Sequence, residues 1–112
     1  LSENKLTIIL SEDDEYKCKM AFIIASTGAS LGKEVNMFFA FNGANFLKKE
    51  FKRDKFIERL MNECIEMNVK FFICSATIDM LGLKRDEFLE FVEFSGAMGL
   101  ISAIDRSKVI FI

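Results

Sequence analysis

Three cysteines, Cys18, Cys64 and Cys74, are the candidate nucleophiles of this 112-residue sequence, and it has no histidine to activate them. That absence removes the Ser-His-Asp triad, the Cys-His dyad, His-ligated zinc and imidazole acid/base chemistry together. A reactive cysteine here must draw its thiolate from a helix end, a nearby cation or local hydrogen bonds. Cys74 is the one placed to do so. It ends the apolar run Val69–Ile73, broken only by Lys70, and is followed by Ser75, Ala76 and Thr77 and a short amphipathic turn closing at Gly82. The run is short, rich in β-branched and aromatic residues, and reads as a buried parallel strand. Open α/β sheets place ligands outside the carboxyl ends of such strands, and a helical turn after Cys74 would aim unpaired N–H groups at its sulfur. The competing reading is that a buried cysteine is merely a small hydrophobe. For Cys18 and Cys64, both on apolar faces of expected helices, that reading prevails. No C-x-x-C spacing links Cys64 to Cys74.

Other candidates yield to structural readings. Ser26–Glu34 (STGASLGKE) suggests a phosphate loop, but only three residues separate Gly28 from Gly32 and Glu34 follows Lys33. The segment also ends a helix instead of opening one. Gly28 and Gly32 are better read as a packing site and a helix stop, and Gly96 and Gly99 as packing positions. The acidic run Glu12–Glu15 reads as a solvated helix cap, so no metal site and no cofactor are expected.

The elements that must position Cys74 follow from periodicity. Lys5–Leu10 (KLTIIL) reads as a first strand, with Ser11 or Asp13 as N-cap of a helix over Tyr16–Leu31. Glu34–Phe41 reads as a second strand whose turn, Asn42 and Gly43, lies at the same carboxyl edge as Cys74. Phe46–Glu50 is expected to be an exposed connection, and Phe51–Asn68 an amphipathic helix. Arg85–Phe94 is divided between a short helix over Asp86–Phe91 and an extended stretch. Ser95–Ile104 reads as a helix turning Met98, Leu100 and Ile101 inward, and Val109–Ile112 as a last buried strand. Alternating strands and helices with short links predict an α/β three-layer sandwich with a mostly parallel sheet, one domain over 1–112.

Composition narrows the partners. Hydrophobic residues are 51% and charged residues 29% of the chain, which argues against disorder, and no apolar run is long enough for a membrane span. A net charge of −2 and a basic cluster, Lys48–Lys55, interrupted by Glu50 and Asp54 argue against nucleic acid. An odd number of cysteines without a signal peptide suggests free thiols in the cytoplasm. The thirteen phenylalanines read mostly as core, with Phe38 and Phe39 as candidates for a subunit interface.

Several stretches together, FFAFNGANFLKK (Phe38–Lys49), VKFFICSATIDMLGL (Val69–Leu83) and the closing SGAMGLISAIDRSKVIFI, resemble the DsrE/DsrF-like family of small α/β proteins. The most specific part is Cys74, Asp79, Leu81, Gly82 and Leu83, spaced C-x-x-x-x-D-x-L-G-L. The resemblance implies a DsrEFH-like fold of flavodoxin-like general architecture, in which Cys74 carries sulfane sulfur as a persulfide. The sulfur would pass between donor and acceptor proteins or small thiols. It also implies an oligomer, from dimer to hexamer, and a longer insert after the LKK segment than this chain has. On this view Ser75, Ala76 and Thr77 supply hydrogen bonds to the persulfide, Asn42 and Gly43 form the opposite wall, and Asp79, Met80 and Gly82 support the following turn. The alternatives are a small-ligand or nucleotide-binding module and a non-catalytic oligomer subunit. A thiol peroxidase is disfavoured because no Arg is near Cys74 in sequence.

Overall fold

The computed structural model describes residues 4–112. Five strands, β1 (Lys5–Leu10), β2 (Glu34–Phe39), β3 (Lys70–Cys74), β4 (Glu93–Ser95) and β5 (Ser107–Phe111), form one sheet in the order β4-β3-β2-β1-β5. Every pairing is parallel. The helices are α1 (Glu15–Ser30), α2 (Lys55–Glu66), α3 (Ser75–Leu81) and α4 (Ala97–Ile104), with 3-10 turns at Phe41–Leu47 and Arg85–Glu87.

This strand order dictates which side of the sheet each helix covers. The steps from β1 to β2 and from β2 to β3 run in one direction, whereas α4 carries the chain back across the sheet from β4 to β5. Right-handed crossovers therefore place α1 and α2 on one face and α4 on the other.

The two faces differ in kind. Leu6, Ile8 and Leu10 of β1 lie in register with Val35, Met37 and Phe39 of β2, and these with Phe71 and Ile73 of β3. All are buried against Cys18, Ala21, Phe22 and Ala25 of α1 and Ile57, Leu60, Met61 and Cys64 of α2. Each fully buried Leu, Ile or Phe contributes about 1.5–3 kcal/mol, so this face dominates stability. The opposite face carries Thr7, Ile9, Phe38, Phe72 and Cys74. There the Phe38 and Phe72 rings stack at 4.7 Å, and Thr7 shares a 2.8 Å hydroxyl–hydroxyl hydrogen bond with Ser107.

Several local expectations are corrected. The N-cap of α1 is Asp14, whose extended backbone lets its carboxylate accept the Lys17 N–H at 2.9 Å, rather than Ser11 or Asp13. Phe46 and Leu47, expected to be exposed, are core residues, because the 3-10 turn folds them under the sheet's carboxyl edge. The helix considered over Asp86–Phe91 shrinks to a single turn. Past it the backbone pairs instead with the end of the first 3-10 turn and the residue after it, through the Lys48–Phe88 bridge and the Leu89 N–H to Leu47 carbonyl bond. Of the α4 residues expected to face inward, Met98 is 88% and Ile101 63% exposed, and no α4 residue is buried. The last strand is an edge strand, with Val109 46% and Phe111 69% exposed. Phe38 and Phe39, by contrast, are buried within the chain.

Candidate functional site

Cys74 is the last residue of β3 and the N-cap of α3. The strand ends here because Ser75 begins a helix, so the chain turns just as the thiol reaches the carboxyl edge of the sheet. Alternation along β3 settles the side on which it appears. Phe71 and Ile73 point into the main core, and Phe72 and Cys74 to the face shared with α4. The Cys74 residue is half-buried, while Cys18 and Cys64 are buried and all three thiols are free. Burial raises both core thiols from 9.0 to about 12. Glu15 adds to the shift at Cys18, where Arg53 opposes it, and Glu63 adds to it at Cys64. Neither is a nucleophile at neutral pH.

Cys74 lines a cavity of about 250 Å³. Ile9 and Ser11 from the end of β1, and Phe38, Ala40 and Phe41 from the end of β2, make one side. Ser95, Gly96, Ala97 and Leu100 from β4 and α4, with Phe111 of β5, complete it. Cys74 is the one ionisable group among these lining residues. The cavity takes in the carboxyl ends of β3 and β4, neighbouring strands whose onward connections run in opposite directions across the sheet, as expected for ligand crevices in open α/β sheets.

The residues expected around the sulfur separate into several roles. Ser75 is half-buried and Ala76 exposed. Thr77 is fully buried, and its hydroxyl oxygen accepts the Phe41 N–H at 2.7 Å. Asn42 is exposed and Gly43 buried; the wall opposite Cys74 is made instead by Ala40 and Phe41, just before them. Gly43 has another task, since a Cβ there would overlap the Leu10 carbonyl oxygen. Asp79 and Met80 are exposed on α3, which Gly82 closes in the left-handed region at φ 64°. No arginine lines the cavity, and the two that follow Cys74 in the chain lie elsewhere. Arg85 lies 4.9 Å over the Phe94 ring, and Arg106 precedes β5 at the opposite, amino edge of the sheet. Sequence reasoning missed Phe41, Leu100 and Phe111. Phe38, Ala40 and Phe111 share a face with Cys74 only through strand register, which no local pattern reveals.

Among the described residues no group of three or more Cys, Asp or Glu residues is placed to hold a metal, and no helix is long and apolar enough to cross a membrane. The sequence profile of the DsrE/DsrF/DrsH-like family matches residues 2–56 and 52–112, which together take in nearly the whole chain. The chain belongs to the DsrE/DsrF/DrsH-like family. One relative of this DsrE/DsrF/DrsH-like chain is the sulfur carrier protein DsrE2 of Allochromatium vinosum, 26% identical over 155 residues covering 97% of this chain and 98% of that protein. Another is the uncharacterized protein YrkE of Bacillus subtilis, 23% identical over 150 residues and 94% of each.

Solved structures share the fold. A protein of unknown function, MTH1491 of Methanobacterium thermoautotrophicum, superposes with a TM-score of 0.79 at 21% identity, covering 96% of this chain and 98% of that one. The ychN protein of E. coli gives 0.74 at 14% identity, covering 96% and 99%.

Proposed function

We propose that this DsrE/DsrF/DrsH-like chain is a sulfur carrier in which Cys74 takes up a sulfane sulfur as a persulfide and delivers it to a partner thiol. The observation that carries the reading is the contrast among the cysteines. Cys18 and Cys64 are sealed in the core, while Cys74 stands at a strand end and opens on a cavity. The relative named as a sulfur carrier supports the same reading.

The chemistry needs no histidine. The Cys74 thiolate attacks the outer sulfur of a donor persulfide R–S–SH, the new S–S bond forms as the old one breaks, and R–S⁻ departs with the electron pair. Transfer onward repeats the exchange with the acceptor thiolate attacking the outer sulfur, and Cys74 leaves as the thiolate. Neither half needs an external oxidant. The half-buried sulfur limits side reactions with solvent while remaining within reach of a partner. This reading places one domain over 1–112 in the cytoplasm, where thiols are kept reduced. It further gives the chain a second copy of itself as partner, packed on the exposed apolar face of α4 and β5.

Incubation with a low-molecular-weight persulfide followed by intact-mass measurement is expected to add about 32 Da, one sulfur atom, to the native protein and none to Cys74→Ser. Equal addition to both proteins would remove Cys74 from the role. The apolar lining also favours a second reading, a binding module for an apolar small molecule with the cysteine incidental. Its mark would be a co-purifying compound retained by Cys74→Ser.

A further inference from the structure

The cavity beside Cys74 contains a second informative residue. Phe41 stands at φ 48°, in the left-handed region that side-chain-bearing residues seldom enter and that aromatic residues enter at a cost. Two contacts hold it there. Its own N–H is donated to Thr77 Oγ1 at 2.7 Å, from a threonine with no solvent exposure. Two residues on, the Gly43 N–H is donated to the Ala40 carbonyl at 2.9 Å. The direction in which the Phe41 side chain leaves the backbone is thereby fixed. It lines the cavity while remaining 44% exposed, which puts it at the border between the sulfur and solvent.

The lining residues supply no cation and no acid apart from Cys74 itself. A donor entering such a space exchanges water for apolar surface alone, because Ser11 and Ser95 line it without presenting a polar atom. A neutral donor tolerates that exchange and an anion does not, since an unpaired charge is the costliest group to desolvate. Donors differ in this respect. Attack on a neutral persulfide releases one thiolate, whereas attack on thiosulfate joins its outer sulfur to Cys74 and expels sulfite, a dianion, into the same apolar space.

We propose that Phe41, set in place by Thr77, is the selectivity wall of the Cys74 cavity, which admits uncharged carriers of sulfane sulfur and turns away oxyanionic donors such as thiosulfate. The inference names the substrate class of the site under the sulfur-carrier reading and rests on that reading. Phe41 is a positioning and selectivity residue; the bond-making atom remains the Cys74 sulfur.

The test uses two alkylating agents of nearly the same shape, neutral iodoacetamide and anionic iodoacetate, with modification of Cys74 followed by peptide mass. The ratio of their rates, compared with the ratio for 2-mercaptoethanol, reads the charge preference of the cavity alone. The native protein is expected to favour the neutral reagent by about tenfold more than the small thiol does, a modest difference for a partly desolvated charge. Phe41→Ala is expected to bring the ratio down toward the small-thiol value. Thr77→Val, which removes the acceptor but keeps the volume, should do likewise, and Thr77→Ser should restore selectivity. A native ratio equal to that of the free thiol overturns the proposal, as does a ratio unmoved in folded Phe41→Ala and Thr77→Val. Alkylation needs no sulfur donor, so the outcome is separable from the carrier reading. Persulfide loading with a charge-blind cavity sinks only this inference, and a charge-selective cavity that never loads sulfur sinks only the carrier.

Discussion

At the scale of single residues, this chain assigns three chemically identical thiols to two environments. Cys18 and Cys64 lie among hydrocarbon, and desolvation lifts both to about 12 against 9.0 for an unperturbed thiol. A raised pKa in the folded state means that folding keeps protons which the unfolded chain releases. Their contribution is therefore complete below pH 9.0 and is lost as pH climbs from there toward 12. Urea midpoints are expected to hold steady through neutral pH and fall across that alkaline window, with a shallower fall in Cys18→Ala and Cys64→Ala once their lower starting stability is subtracted. An equally steep fall in both variants would assign the alkaline loss to other groups. The same contrast predicts that brief iodoacetamide treatment of the folded protein at pH 8 modifies Cys74 alone, and that all three cysteines react in urea.

At the scale of elements, backbone packs directly against backbone at the carboxyl edge of the sheet. Gly43 sits against the Leu10 carbonyl with no room for a Cβ, so Gly43→Ala is expected to cost about 1–3 kcal/mol in denaturant unfolding. An unchanged midpoint would mean that the 3-10 turn slides easily. The link before α2 is equally well tied. Arg53 Nη1 donates to the Phe46 and Lys48 carbonyls at 3.0 and 2.9 Å, and Asp54 caps α2 by accepting the Phe56 N–H. Much of this order was legible in the sequence. Lys5–Leu10 announced β1 to the residue, and the abrupt change from Phe71-Phe72-Ile73 to Ser75-Ala76-Thr77 marked the end of β3 at Cys74. What local pattern could not supply was register and sidedness. SGAMGLISAI is apolar almost throughout, so its composition suggested an inward face, but α4 lies alone across its side of the sheet and leaves Met98 and Ile101 uncovered. The closing VIFI run looked buried for the same reason, yet β5 pairs with β1 only and ends the sheet.

At the scale of the whole molecule, one face of the sheet is sealed by two helices and the other is half covered. Leu100 of α4 and Phe111 of β5 line the Cys74 cavity, and on the same two elements Met98, Ile101 and Val109 are exposed. If a second copy covers this surface, light scattering should report an oligomer that Ile101→Glu or Met98→Glu converts to monomer with unchanged far-ultraviolet dichroism. A native monomer at micromolar concentration would reject that arrangement. The position of β5 has a practical corollary. Its outer rim offers a row of unsatisfied amides and carbonyls beside exposed Val109 and Phe111, and within the strand Lys108 is the sole charge. Such a rim is a template onto which a stray chain can crystallise into fibre. Replacing that lysine with valine should turn a clear stored solution turbid and thioflavin-positive, which makes one ordinary surface side chain the guardian of shelf life.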